Sequence, residues 1–290
     1  MKYRFIHSCS QNCAEQLPVE GLCIHLGVAR SGYYKWLKQT PGQREQEDAQ
    51  LAEVIETEFW KHHSAYGSPR MCERLRQLSR RHGRRRVRRL MVDRGLIARK
   101  RRRFVTTTKA DPSKQPAPNV LNREFSAEEP NRKWVSDITV IPTAEGDLYL
   151  ASTMDLWSRM IVGWAIRETM EEDLVHQAFD MAVQRRWPDP GLLHHSDQGS
   201  QYTANGFRQR LQINQCIESN SRKGNVWDNA VKESFFSSLE MELLRKKTFS
   251  TKAEAIQEVF IYIEIFYNRQ RIHSSLGGRS PAEFEAAGGN

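Results

Sequence analysis

Three acidic side chains are placed where they could share one chemistry. Asp137 lies inside an apolar run, Trp134 to Ile141, where an unpaired carboxylate is costly to bury. Asp197 directly follows a shorter apolar run, Leu192 to Ser196, and Glu233 comes after a gap of 35 residues, in a segment of helical spacing that includes Phe235 and Phe236. Carboxylates at strand ends or on a helix face, without clustered His or Cys, are the oxygen donors a hard divalent cation needs. Two Mg²⁺ ions held in this way activate the attacking oxygen and neutralise the leaving oxygen when a phosphodiester is cut or joined. Asp137, Asp197 and Glu233 are therefore the expected catalytic residues and metal ligands, and Mn²⁺ is expected to substitute for Mg²⁺. Each carboxylate alone also has a plainer reading: a salt bridge for Asp137, a turn cap before Gly199 for Asp197, helix surface for Glu233. Asp155 is the rival carboxylate. It follows a second apolar run, but Asp155-Leu-Trp-Ser-Arg159 reads as a hairpin turn with Asp155 paired to Arg159.

The elements that must position these residues occupy roughly 130–286. Trp134–Ile141, Leu148–Met154 and Met160–Ile166 read as strands, the last two joined as a hairpin. Thr169 with Glu172 three residues on is a capping-box pattern that starts a helix running to about Arg186. A short strand ends at Asp197, and Phe207–Ile213 reads as helix and Cys216–Glu218 as strand. Two long helices follow, about Asp228–Arg245 carrying Glu233, and Ala253–Tyr267. Three hairpin strands followed by alternating helices and strands suit an α/β, RNase H-like catalytic core.

Ahead of this core the chain changes character. Its net charge is +9, yet Lys61–Arg103 alone carries 17 Lys or Arg against Glu73 and Asp93, a charge of +15, leaving −6 for the remainder. That is the footprint of a polyanion-binding module. Residues 44–104 read as three helices, about Leu51–Trp60, Arg70–Arg81 and Arg84–Asp93, the last stopped by Gly95. Residues 1–40 read as two more, Val19–Gly27 and Val28–Leu37, either a helix-turn-helix or a plain helical hairpin. The candidate DNA contacts are Arg30, Tyr33 and Lys35 in the first unit, with Ser31 beside them. In the second they are Arg70, Arg84, Arg85, Arg86, Arg88, Arg89, Arg101, Arg102 and Arg103, with Lys232 in the core. Arginine suits the task because its planar guanidinium grips phosphate bidentately. Between these small all-α units and the core, 105–129 is a proline-rich polar linker.

Other classes are excluded by composition. No apolar run approaches the ~20 residues of a membrane span, and Met1–Asn12 has no secretory pattern. Five scattered cysteines give neither a disulfide framework nor a compact zinc spacing. A cytoplasmic, nucleoid-associated protein is expected.

Several longer strings carry a resemblance. Trp134-Val-Ser-Asp-Ile-Thr139, His195-Ser-Asp-Gln-Gly-Ser-Gln-Tyr202 and Gly224-Asn-Val-Trp-Asp-Asn-Ala-Val-Lys-Glu-Ser-Phe-Phe236 resemble the integrase core of bacterial insertion-sequence transposases of the IS-three type, the second-frame (OrfB) product. Asp155–Trp164, Phe266–Leu276 with Ser280-Pro281, Tyr66–Arg70 and Leu26–Tyr34 extend the likeness over nearly the whole chain. The resemblance implies a Mg²⁺-dependent DDE recombinase whose triad falls on Asp137, Asp197 and Glu233. It frees 3′-hydroxyls at element ends and joins them to DNA without a covalent protein–DNA intermediate. Implied partners are the element's terminal inverted repeats, target DNA, further copies of the chain, and an upstream-frame helix-turn-helix and leucine-zipper product, supplied as a frameshift fusion. The alternatives are a nuclease of RNase H type that does not join, and a DNA-binding regulator with an inactive core. One position departs from the family. Many relatives carry Lys or Arg seven residues after the catalytic Glu, and here that residue is Glu240. Two helical turns put it on the face of Glu233, where an acid repels phosphate, leaving Lys232, Arg245 or another cation to compensate.

Overall fold

The computed structural model describes residues 2–12, 18–38, 42–98, 115–222 and 225–289. They form two compact units, Met1–Val54 and Ile55–Asn290.

In the smaller unit α1 (Lys2–Asn12), α2 (Val19–His25) and α3 (Arg30–Leu37) meet around Ile6, Cys23 and Tyr33. Gly27, at φ 62°, turns the chain from α2 into α3, a conformation open to glycine without a Cβ penalty. The sequence pattern predicted α2 and α3 but not α1. Tyr33 is a core residue, 2% exposed, with its hydroxyl 3.3 Å from His7 Nδ1. It is not a DNA contact, because its ring fills the space between the helices.

The division falls inside α4 (Gln43–Lys61), so the second half of α4, α5 (Ser68–Gln77) and α6 (Arg84–Asp93) belong with the catalytic sheet. Ile55, Phe59, Met71, Leu75, Val87, Leu90 and Met91 are buried at helical spacing. Arg84, Arg85, Arg88 and Arg89 are left on the outside and Arg86 half-buried. Gly95, at φ 66°, ends α6 as expected. Arg101, Arg102, Arg103 and the first part of the expected linker, to residue 114, lie outside the described residues.

From 115 onward the chain is strapped to the core. Ala117 N donates to Asn220 Oδ1 at 2.8 Å, and Val120 N to Ser219 Oγ at 2.9 Å. The core sheet has the order β3-β2-β1-β4-β5, formed by β1 (Lys133–Ile141), β2 (Leu148–Asp155), β3 (Ile161–Arg167), β4 (Leu193–Ser196) and β5 (Ile217–Asn220). β1, β2 and β3 are antiparallel neighbours; β4 runs parallel to β1 and β5 parallel to β4. This is the topology expected from the strand and helix order.

Helices cover both faces. α7 (Glu172–Arg186) and α8 (Asn205–Ile213) bury Ala178, Phe179, Ala182 and Phe207 against Trp134, Ile138 and Val162. On the other face α9 (Ala230–Leu239) and α10 (Lys252–Phe260) pack Phe235, Leu239 and Val259 with Val135, Leu150 and Met154. α7 approaches β3 so closely that a Cβ on Gly163 would lie 2.1 Å from the Ala178 carbonyl oxygen. The expected capping box at Thr169 does not form: Glu171 is the N-cap of α7. The Met170 carbonyl accepts a hydrogen bond from Gln201 Nε2 at 2.7 Å, which ties that turn to the Asp197 loop.

Both long C-terminal helices change pitch. α9 passes into a π-helical turn at Glu240–Leu244, and α10 into one at Ile261–Tyr267. Between them sits a buried ion pair, Arg271 Nη2 to Glu242 Oε1 at 2.8 Å, with Tyr262 Oη donating to Glu242 at 2.8 Å. The C-terminal segment then clamps the sheet edge. The Asn268 side chain bonds both the N–H and the carbonyl of Ile161, and Arg186 pairs with Glu285 at 2.7 Å. α11 (Pro281–Ala286) is closed by a reciprocal Ser280–Glu283 capping box.

Candidate active site

β1 is the central strand, with β2 on one side and β4 on the other. Its parallel register with β4 aligns Lys133 with Leu193, Trp134 with His194 and Val135 with His195. That register leads toward Asp197 on one strand and Asp137 on the other, and the Asp197 charge is felt at the Asp137 carboxyl. The loop holding Asp197 is locally fixed. Its Oδ1 accepts from Gly199 N at 3.0 Å, and Asn220 Nδ2 reaches its carbonyl at 3.4 Å. Asp137 Oδ1 accepts from Ile138 N at 2.8 Å. Both aspartates are half-buried, and Glu233, on the first turns of α9, is half-buried too.

Electrostatics tie the three together. Loss of water around the Asp137 carboxyl raises its pKa well above the usual carboxylate range, and the charges of Asp197 and Glu233 raise it further. Burial also raises Glu233. A buried carboxyl whose ionisation is opposed by two neighbouring carboxylates marks a site short of positive charge. Beside them the buried Tyr202 hydroxyl has no hydrogen-bond partner among the described residues, and its pKa is pushed up by burial and then by Asp137 and Asp197.

Lys232 answers part of that shortage and corrects an expectation. It is 0% exposed, so it cannot reach DNA. Its ammonium donates to Ser152 Oγ and lies 4.6 Å and 4.9 Å from the ring centroids of Phe235 and Phe236. Ser152 is the cross-strand partner of Asp137. Burial lowers the Lys232 pKa to about 7, against the pull of Asp137. The residue is an internal counter-cation for Asp137.

Asp155 is no rival ligand. It is 0% exposed and holds the start of the hairpin: Asn131 N and Trp157 N donate to it at 2.9 and 3.0 Å. Its ion pair is with Arg186 at 3.4 Å rather than Arg159, whose Nη2 donates to Phe125 O. Asp228, expected only as the start of the helix that carries Glu233, is the organiser of the segment before α9. It is 0% exposed and accepts from Arg222, Arg123 and Asn119. The Arg222 hydrogen bond leads the contacts that hold its carboxyl far below the ordinary range. An aspartate between Trp and Asn gives no sequence signal for this role, since its partners lie up to 109 positions away.

Among the described residues no three His, Cys, Asp or Glu side chains already stand together as a complete metal-holding group. The chemistry of the donors nevertheless fits a hard divalent cation. All three are carboxylates, burial raises the pKa of Asp137 and Glu233 with Asp197 adding to the first, and the orphan Tyr202 hydroxyl feels the charge of both aspartates. Of the candidate DNA contacts, Arg30 and Lys35 are exposed, with Arg30 3.2 Å from Glu20. Arg70 is half-buried against the core.

Comparison with known proteins agrees with this architecture. Residues 127–226 and 233–287 match models of the integrase core domain, and 45–104 match an HTH-like domain. The chain is 41% identical over 263 residues to the insertion element IS600 31 kDa protein of Shigella sonnei, covering 91% of this chain and 97% of that one. It is 35% identical over 287 residues to transposase InsF of insertion sequence IS3A from Escherichia coli, covering 98% of each. A solved HTLV-2 integrase catalytic core, in complex with magnesium, aligns with a TM-score of 0.41 at 13% identity, covering 54% of this chain and 97% of that one.

Proposed function

From the premise that the chain belongs to the insertion-sequence transposases with an integrase core, we propose that Asp137, Asp197 and Glu233 are its catalytic triad and metal ligands. The protein is a DNA transposase, a polynucleotidyl transferase of the DDE type that depends on divalent metal. The observation that supports the triad is that Asp197 and Glu233 both raise the Asp137 pKa, with the β1–β4 register leading toward Asp197.

Two Mg²⁺ ions, replaceable by Mn²⁺, would supply the Lewis acidity for in-line attack at phosphorus. The protein's own residues do the positioning. Asp137 is fixed by the central strand, Asp197 by its bond to Gly199 N, and Glu233 by the packing of Phe235 and Phe236 into the core. Lys232 keeps charge near Asp137 balanced from inside. Freeing of a 3′-hydroxyl at the element end and its attack on target DNA follow as two uses of one site. DNA is gripped by the helical region of about 44–104 through Arg70, Arg84, Arg85, Arg86, Arg88 and Arg89, and by a 1–40 unit through Arg30 and Lys35. The segment from about 105 to 129 joins these to a catalytic domain of 130–286. Further copies of the chain on the DNA, an upstream-frame fusion partner and residence at the nucleoid belong to the same reading.

The test is a labelled terminal-repeat duplex incubated with protein and Mg²⁺. Nicking followed by joining of the 3′-end to a second DNA is expected. Nicking without joining would leave a nuclease, and binding without nicking a regulator.

A further inference from the structure

A second polar site lies on the face of α9 next to that of Glu233. A cavity of about 280 Å³ is lined by Arg70 of α5, Arg159 of the β2–β3 hairpin, and Arg271 and His273 of the C-terminal segment, with serines 234, 238, 274 and 275 among the rest. No carboxylate lines it. Ser274 and Ser275 are exposed and give it an outlet to solvent. Two of its lining residues each hold a buried polar atom without a hydrogen-bond partner among the described residues: Arg159 Nη1 and His273 Nε2. Buried polar atoms without partners are uncommon, and each calls for a reason. Arg159 also sits at φ 62°, a left-handed conformation that a non-glycine residue adopts at a cost. Its other terminal nitrogen is spent on the Phe125 carbonyl. Arg271 is committed to Glu242. The positive charges converge on one point: burial first, then Arg271, Arg70 and Arg159 in turn, hold the His273 imidazole far below its ordinary pKa.

We propose that this cavity binds a backbone phosphate of the DNA strand lying along α9, on the same strand as the phosphate that Asp137, Asp197 and Glu233 act on. Guanidinium N–H donors, hydroxyls and an imidazole nitrogen, without a carboxylate, are a set that recognises a tetrahedral oxyanion. The volume takes a phosphate with part of its sugar. Ser234 lies one residue from Glu233, so a phosphate held here fixes the path of the strand relative to the reacting centre. Arg70 brings the basic helices to that same point. The inference rests on the transposase reading above.

Ser275→Glu tests it, because an exposed serine at the outlet tolerates substitution and the new carboxylate repels an oxyanion. Ser250→Glu, at an exposed position outside the cavity, controls for the same change in net charge. Affinity for the terminal-repeat duplex is measured with Ca²⁺ at several salt concentrations. Ser275→Glu should bind about tenfold more weakly than Ser250→Glu at low salt, with a salt slope shallower by about 0.9 log units per log of salt, one phosphate contact. Equal affinity and slope in the two variants, while wild type still nicks and joins, overturns the cavity proposal and leaves the function standing. Wild type that neither nicks nor joins overturns the function, and this site with it. A melting-temperature rise with inorganic phosphate that Ser275→Glu abolishes, without any change in DNA binding, assigns the cavity to a small phosphate compound and overturns the proposal as well.

Discussion

Glu240 and Arg245 stand five residues apart in the chain, and the Glu240 Oε1 to Arg245 Nε distance is 2.7 Å. In an α-helix that separation points the two side chains apart. The π-helical turn at Glu240–Leu244 brings residue i+5 over residue i, and Arg245 N accordingly bonds the Glu240 carbonyl at 3.0 Å. The acid that departs from the family pattern is therefore answered by the cation that this change of pitch delivers. The pair is about one-third exposed and contributes little to stability.

Glu240→Lys should release Arg245 and add a second cation beside it. Affinity for end DNA is expected to rise, with a salt slope steeper by one to two phosphate contacts, about 0.9 log units each. Cleavage at saturating DNA should change less than threefold. Binding isotherms at two salt concentrations decide the matter. Unchanged affinity and slope would place this end of α9 away from DNA.

Asp137→Asn, Asp197→Asn and Glu233→Gln should each reduce nicking by at least a thousandfold while duplex binding and melting temperature stay near wild type, since each removes one metal-ligating charge. Asp155→Asn should behave the opposite way. The Asp155 carboxylate serves Arg186 and two backbone N–H groups in the interior, so its loss should cost about 2–4 kcal/mol of stability and leave nicking per folded molecule intact. An inactive, fully stable Asp155→Asn protein would mean the triad is misassigned.

Lys232→Met separates an internal cation from a DNA contact. The side chain is buried, so the salt slope of DNA binding should not move. Nicking should fall tenfold or more, because Asp137 loses a buried positive charge that favours its ionised form. A shallower salt slope in this variant would return Lys232 to the DNA surface.

Stability should decline in mild acid. Burial holds His194 at about 3 and His62 at about 4, against an ordinary value of 6.5. Both folded-state values are depressed, so between them and 6.5 the unfolded chain binds protons that the folded chain refuses. Stability is then full above 6.5, falls as pH drops below it, by about 1.4 kcal/mol per pH unit for each histidine, and stops falling on this account once pH passes the folded values. Urea titrations at pH 7, 6 and 5 measure the slope, which His194→Gln should reduce.

The sequence disclosed what depends on local pattern. Strand alternation found β1, β2 and β3, and apolar spacing found α5 and α6 within a few residues. The proposed triad could be nominated from sequence because Asp137, Asp197 and Glu233 each sit within, at the end or on the face of a readable element. What stayed hidden depends on distant contacts. Tyr33 and Lys232 read as DNA contacts because composition cannot tell a polar tip that turns inward from one that faces water. The π turns leave an apolar periodicity close to that of an α-helix, so the five-residue pairing of Glu240 with Arg245 could not be read in advance. The early start drawn at Thr169 failed because a capping pattern does not know that Gln201 will claim the Met170 carbonyl.

The clamp formed by Asn268 on Ile161 and Glu285 on Arg186 has a consequence in time. A chain leaves the ribosome from its N-terminus at roughly 5–20 residues per second. When Glu233 has just emerged, all three carboxylates exist, but the partners of Ile161, Arg186 and Glu242 are still unmade. The sheet edge stays open, and the ion pair that braces α9 against α10 waits for Arg271. Closure requires residues as late as Glu285. A product that stops short of Asn268 holds all three carboxylates but lacks the contacts that close the sheet edge, brace α9 and tie Tyr66 and Gln77 to the core, so the acidic residues exist well before the frame that must hold them.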